Sequence, residues 1–543
     1  MAQLQFKGKT FVQNYHLLVK YHELVPVKAK SLTDRVTLHD NLIIHGDNLK
    51  ALKALLPLYA GKIKCVYIDP PYNTGNESWA YNDNVSSPMM QEWLGKVVDR
   101  EDLTRHDKWL CMMMPRLKLL RELMIEDGVI FLSIDDNEQY RIRALMDEVF
   151  GEDNFVEQFI WKKSYGGGAK EKYVVRQHEY CLMYARNKQN VPDLWLPPDE
   201  EAEARYYKYR DSKFAERGPY RIKPLEATKS MDQRENLVFP IKAPDGSEIR
   251  PKRQWWWSRD RAEKALAQDE LVFTKTDDGY SVSYKQYLID EAGEKRGAKP
   301  FSIIDKIYTQ EGTADLRSVF DDQVVLQFPK PVGLIKHLLR IATSAESSDL
   351  ILDCTGGSGT TGHAVLSLNA EDDGNRRFIL IECEDYADSI TAERIRRVIK
   401  GVPTSKDEVL KKGLGGSFSF FRLGKAIELE SILDGDGLPT YKELARYVFY
   451  TATGEEFDEK AVDEKKHFIG ESRNYQAFLF YEPNIAKLKN LALTLDMAKS
   501  LPPLKKDKRR LVFAPTKYLD QEHLDQHRID FAQLPFEIYE LTR

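Results

Sequence analysis

Short apolar runs alternating with amphipathic helical stretches constrain this chain more than any other feature of its sequence. Residues 41–46 (NLIIHG), 62–68 (KIKCVYI) and 129–134 (VIFLSI) carry the β-branched and aromatic content of buried strands. Residues 48–59, 107–126 and 137–149 carry helical periodicity, with Pro115 marking a kink or the join of two helices. The same alternation returns far downstream, with strands at 350–353 and 378–381 around a helix that starts near Thr361. Runs of this kind in β-α-β order predict an α/β fold with a mostly parallel sheet and helices on both faces. Two segments distant in sequence supply that one sheet.

Between the two segments the pattern changes. Two strands within 159–187 flank a loop holding Gly166, Gly167 and Gly168 with Lys170 and Lys172, which reads as a hairpin with a basic tip. From about 190 to 325 the chain is rich in Pro, Tyr, Arg and Asp, as expected of an inserted α+β domain. Beyond 403, strands at 477–481 and 510–514 around a helical stretch at 485–498 predict a small α/β C-terminal domain. The expected domains are therefore 1–38, an arm; 39–189 and 326–402, the two halves of the core; 190–325, the insertion; and 403–543.

A chain of 543 residues with 42% hydrophobic and 30% charged residues has ample core material and is too long for one core. It holds no apolar run of about 18 residues and no apolar leader before a small-residue cleavage site, so no membrane span is expected and the cytoplasm is the expected location. Its five cysteines are scattered without a CxxC pair, which argues against a disulfide framework and a zinc site and predicts five buried thiols, with no metal. A net charge of −5 gives no long-range pull toward polyanions, so any nucleic-acid surface must be local.

Asp69-Pro70-Pro71-Tyr72 stands at the carboxyl end of the 62–68 strand, where open α/β sheets place ligands. The paired prolines fix the backbone and remove two N–H donors, leaving the Asp69 carboxylate and the Pro70 carbonyl as acceptors suited to an amino group. Tyr72 adds a flat face for a base, its ring and not its hydroxyl being the expected contributor. A strand-terminating turn with a capping Asp is the plain alternative. Downstream, DCTGGSGTTG at 353–362 forms a second strand, glycine turn and helix start, and Glu382 closes the next strand in a position suited to ribose hydroxyls. Tight packing and a dinucleotide site compete for that turn.

Together the two elements resemble the catalytic and S-adenosylmethionine (SAM) motifs of amino-group DNA methyltransferases, in the order of their permuted beta group. DPPYNTG at 69–75, SIDDNE at 133–138, HEY at 178–180, PKP at 329–331 and GSGTTGHAV at 357–365 are similar to the modification (Mod) subunits of type III restriction-modification systems. The family usually has Phe where this chain has Thr355, so packing against the cofactor is expected to differ.

The resemblance implies a permuted SAM-dependent methyltransferase core, an inserted target recognition domain and a C-terminal association domain. It implies methylation of adenine N6 in duplex DNA, with the adenine flipped out of the helix, and it implies a homodimer that partners a restriction (Res) helicase-nuclease. N4-cytosine methylation and a DNA-recognition subunit without turnover are the alternatives; the family more often has Ser before PPY for cytosine. By position, Asp69, Pro70 and Tyr72 are catalytic. Asp353, Gly357, Gly359, Thr360, Glu382 and Lys330 are expected to bind the cofactor, Lys330 near its methionine end. Asp47 either reaches the cofactor adenine or caps a helix. Pro71, Asn73, Lys170 and Lys172 are expected to bind the substrate, the two lysines on a loop that either assists base flipping or is an exposed hairpin tip. Of Trp255, Trp256 and Trp257, at least one is expected in a core, and Lys505–Arg510 is read as a solvated turn.

Overall fold

The computed structural model describes residues 4–74, 104–166, 172–196, 200–227, 234–277, 279–426, 440–453, 455, 457–488 and 490–534. The chain divides into two compact units, one of Met1–Asp193 with Phe301–Arg543 and one of Leu194–Pro300.

The first unit is built on a ten-stranded sheet. Six neighbouring strands in it run parallel, in the order Ser419–Ala426, Leu42–His45, Arg377–Glu382, Leu350–Asp353, Ile63–Ile68 and Met124–Ile134. His178–Ala185 and then Phe155–Lys162 extend it as an antiparallel pair, with Ile303–Ile304 at that edge and His22–Pro26 at the other. Every residue of Leu350–Asp353 is buried, as are Cys65 to Ile68 in succession. Side chains alternate between faces, so such runs require cover on both sides, and helices supply it. On one side, Leu52 and Leu55 of helix Asn48–Tyr59 and Leu117 and Leu120 of helix Arg105–Leu123 share a core with Val66 and Ile68.

Helix Arg105–Leu123 opens on a capping box between Thr104 and Asp107 and runs through Pro115 without a join. It ends earlier than the expected 126, because strand Met124–Ile134 follows at once and takes in Asp127 and Gly128. The C-terminal region carries its own four-stranded sheet, ordered Phe468–Glu471, Tyr475–Leu479, Arg509–Ala514 and Ile529–Gln533, with an apolar cluster on each face. A boundary at 403 is too early, since Ser419–Ala426 pairs with Leu42–His45 inside the large sheet. The same sheet claims His22–Pro26 from the expected arm. Cys65, Cys111, Cys181 and Cys354 are buried, but Cys383, one residue past the strand end at Glu382, is exposed.

The second unit is α+β and narrower than the expected 190–325, because Ile303–Ile304 and helix Thr309–Val319 belong to the first. Its antiparallel sheet of Leu271–Thr276, Gly279–Tyr287 and Tyr220–Pro224 packs with helix Arg259–Ala267 around Leu225, Phe239 and Trp255. Trp255 is the buried member of the tryptophan triplet and donates from Nε1 to the Phe239 carbonyl at 2.8 Å, whereas Trp256 is 47% exposed.

Candidate active site

Strands Ile63–Ile68 and Leu350–Asp353 are parallel neighbours with Tyr67 opposite Asp353. The Asp69 loop and the glycine turn therefore leave the sheet side by side at its carboxyl edge. Thr355 joins them: its Oγ1 accepts from the Asp69 backbone N–H at 3.0 Å and donates to Asp353 Oδ1 at 3.1 Å. A phenylalanine could make neither bond. Thr355→Val keeps the shape but leaves the Asp69 N–H without its acceptor, at a cost of about 1–3 kcal/mol for a group withdrawn from water. Chemical denaturation should show that loss as a lower midpoint at unchanged slope.

Asp353 holds the turn from within. Its Oδ1 also accepts the Thr355 N–H at 2.9 Å, and its Oδ2 accepts the Thr361 hydroxyl at 2.5 Å. Burial pushes its carboxyl up to about 6 despite those bonds. Gly357 and Gly359 have φ of +51° and +80°, and Gly359 is the N-cap of helix Thr360–Asp372. A Cβ on Gly359 would stand 3.0 Å from the Thr391 carbonyl, a tight approach that adds to the strain any other side chain would meet at this φ. The Thr360 hydroxyl meets buried Arg394, whose Nη1 donates to it and to Ser358 Oγ at 2.9 Å.

Glu382 ends the neighbouring strand Arg377–Glu382 with its carboxylate against the turn. Oε2 accepts the Gly357 N–H at 2.6 Å and Oε1 accepts the Glu384 N–H at 2.9 Å. Burial raises the carboxyl to about 7, against the pull of those backbone donors. A glycine cradle beside an inward-facing carboxylate suits a nucleoside with ribose hydroxyl donors.

Asp69 stands at the head of a buried polar cluster. Its Oδ1 faces Lys330 Nζ at 3.1 Å. That ammonium donates to the Tyr72 hydroxyl at 2.7 Å and to Glu179 Oε2 at 3.4 Å, while the Tyr72 hydroxyl donates to the same Glu179 oxygen at 3.0 Å. Lys163 Nζ reaches the other oxygen, Oε1, at 2.9 Å. Burial raises the Asp69 carboxyl above its ordinary value, opposed chiefly by Lys330. Burial alone would raise Glu179 too, but Lys330 and Lys163 outweigh it and hold it below the usual range. Two carboxylates and two ammonium groups thus balance in a site poorly reached by water.

The other expected residues have defined places. Lys330 lies against Asp69 and Tyr72. The Pro71 carbonyl accepts the Trp109 indole N–H at 2.6 Å, and Pro70 is buried. Asn73 is buried with φ +56° and donates to Glu138 Oε1, which fixes the loop beyond Tyr72. Asp47 is the N-cap of helix Asn48–Tyr59, accepting the Lys50 N–H at 3.0 Å. Lys172 is exposed, 5.0 Å from the Tyr173 ring centroid, and Lys170 lies outside the described residues. Sequence reasoning passed over Glu179, Lys163 and Arg394. Only Glu179 had a signal, as the middle residue of the HEY motif.

A family model described as DNA methylase, of the N6/N4 type, matches residues 63–393. The StyLTI Mod subunit of a type III restriction-modification enzyme from Salmonella typhimurium (strain LT2) is 32% identical over 421 residues, covering 73% of this chain and 62% of that protein. The EcoPI Mod subunit from Escherichia phage P1 is 31% identical over 463 residues, covering 76% and 70%. The chain thus spans less than two thirds of the first relative's length. A solved putative DNA modification methylase from Thermus thermophilus, complexed with S-adenosyl-L-methionine, is 14% identical with a TM-score of 0.30, over 70% of this chain and 99% of that one.

Proposed function

This chain belongs to the N6/N4 DNA methylase family, and from that premise we propose that it transfers a methyl group from SAM to N6 of a flipped-out adenine in duplex DNA, as the modification subunit of a type III restriction-modification system. The observation that carries the proposal is the pairing of strands Ile63–Ile68 and Leu350–Asp353, which brings the Asp69 loop beside the glycine turn and so supports an amine acceptor next to a nucleoside site. When bound, SAM supplies an activated methyl group. Glu382 holds its ribose, and the backbone of the Asp353–Glu382 region shapes its pocket.

The chain's own work is done around Asp69. Its carboxylate and the Pro70 carbonyl accept the two hydrogens of the target amine, which frees the nitrogen lone pair from the ring. As the new N–C bond forms at the expense of the donor's C–S bond, whose electron pair leaves with the thioether S-adenosylhomocysteine, the nitrogen gains positive charge, which the Asp69 carboxylate would stabilise, and one amine proton then leaves toward that carboxylate. Tyr72 offers its ring to the base. An Asp rather than a Ser before PPY, together with the Mod relatives, supports adenine over cytosine. We assign target recognition to the Leu194–Pro300 unit and subunit association to the C-terminal region, and expect a cytoplasmic homodimer with a Res partner. Among the described residues no helix is long and apolar enough to cross a membrane.

Nucleosides from DNA of an expressing strain, separated by mass spectrometry and mapped by long-read sequencing, test the proposal. N6-methyladenine at one recurrent sequence is expected; N4-methylcytosine would give the chain the other substrate, and unmodified DNA would overturn the activity.

Cofactor binding has its own pH signature. The ionised Glu382 accepts ribose hydroxyls, and with a carboxyl near 7 it takes up a proton as pH falls through neutrality. SAM affinity measured by calorimetry should therefore drop roughly tenfold from pH 8 to pH 6. Glu382→Gln should bind weakly and with a flattened dependence.

A further inference from the structure

We propose that Lys330 is a positioning residue of the methyl-transfer site and Glu179 the opposing charge that tunes it: Lys330 backs the inner oxygen of Asp69 against the nearby Glu179 carboxylate, so that the rest of the Asp69 carboxylate stays an ionised acceptor for the target amine. The inference rests on the methyltransferase reading and assigns a role to Glu179, which that reading leaves idle.

The geometry argues for a backing role over a plug. Asp69 Oδ1 is fully shielded from solvent, yet the side chain as a whole is 28% exposed, so its exposure lies on the remainder of the carboxyl group and its Cβ. Lys330 approaches the shielded oxygen and is itself 13% exposed. Its ammonium also lies 4.8 Å from the Tyr72 ring centroid and 5.8 Å from that of buried Trp161, so it is enclosed from several sides. An ammonium at this depth needs a carboxylate, and it has two. Without Lys330, Asp69 and Glu179 would be two buried like charges in one site, and one of them would take a proton. Asp69 is the one disposed to do so, because Lys163 still neutralises Glu179.

The elements packed around Asp69 carry these polar and titratable groups. Its own strand and loop bring Tyr67 and Tyr72. The neighbouring strand and turn bring Asp353 and the Thr355 hydroxyl. The His178–Ala185 strand brings Glu179 and Cys181, the end of the Phe155–Lys162 strand brings Lys163, and the segment before helix Val332–Ala342 brings Lys330. Of these only Lys330 and Lys163 are cationic, and Lys330 alone is paired with Asp69. A protonated Asp69 would lose both its charge and an acceptor, so Lys330 sets the pH below which transfer fails.

The test is single-turnover methyl transfer by the full chain, from pH 5 to 9, at SAM concentrations saturating at each pH so that the Glu382 dependence drops out. Lys330→Met should move the acid limb of the rate at least one pH unit toward alkaline, with activity recovered at high pH. Glu179→Gln should move the limb the opposite way, because it removes the like charge nearest Asp69 and leaves Lys330 to it. The double variant should fall between them, and Lys330→Arg should keep the wild-type limb. Rates lowered by one factor at all pH values, with the limb unmoved, would overturn the proposal. Should Lys330→Met fail to fold, Glu179→Gln decides alone: a shift toward acid supports the proposal and no shift or the reverse shift overturns it. A wild-type chain that transfers no methyl group would instead remove the methyltransferase reading itself.

Discussion

Asp69→Ala is expected to lower the methyl-transfer rate by at least about a hundred-fold while leaving SAM affinity, DNA affinity and stability close to those of the unaltered chain. The rate falls because the carboxylate matters most as the amine nitrogen becomes tetrahedral and charged, and loss of one such preorganised group in a shielded site is worth roughly 10²–10³ in rate. Cofactor affinity survives because the link from this loop to the glycine turn is the Asp69 backbone N–H on Thr355, which alanine retains. The fold survives because Lys330 is not stranded: Glu179 Oε2 at 3.4 Å and the Tyr72 hydroxyl at 2.7 Å remain to it. Single-turnover rates beside SAM calorimetry and thermal melts check all three. A variant that melts well below the wild type would show that Asp69 is chiefly a structural counter-ion of Lys330, and a rate within tenfold would remove it from the chemistry.

The difference between what the sequence discloses here and what it hides follows from range. Strand identity was legible because runs such as LILD and KIKCVYI are buried on both faces, and that burial writes itself into consecutive residues. The turns at 69–72 and 353–362 were legible because glycine at positive φ and paired proline are local backbone demands that few other residues meet. Strand limits were less so. Ser419–Ala426 carries Arg, Gly and Lys among its apolar residues and reads poorly alone, yet pairing with Leu42–His45 on one side and His22–Pro26 on the other makes it a sheet strand. Asp127 and Gly128, expected just past a helix end, lie within a strand.

Side-chain partnerships across the sheet were the least legible. Glu179 and Lys330 lie 151 residues apart, and Thr355 and Asp69 lie 286 apart. Nothing local in either pair announces the other. The Phe-to-Thr departure at 355 read as a change in cofactor packing, and nothing local in the sequence told that its hydroxyl also joins the Asp69 loop to the glycine turn. Tyr72 shows the same limit: its ring was the expected contributor, but its hydroxyl bridges Lys330 and Glu179.

Tyr72→Ala should fail at a different step from Asp69→Ala. Loss of a stacking face costs about 1–3 kcal/mol per base, which is roughly 5- to 150-fold in capture of the flipped adenine. The rise should fall on the DNA concentration needed for half-maximal rate, with SAM affinity unchanged. Tyr72→Phe keeps the ring but removes the hydroxyl between Lys330 and Glu179, so it should be milder than alanine without being silent. A mismatch opposite the target adenine lowers the cost of extruding it, since the pairing energy is already gone. That substrate should recover part of the activity of Tyr72→Ala, whose defect lies in holding an extruded base. It should do nothing for Asp69→Ala, whose defect begins once the base is in place. Kinetics on matched and mismatched duplexes separate the two cases, because rescue of both variants by the same factor, or of neither, would show that stacking and amine acceptance are not divided between Tyr72 and Asp69 in this way.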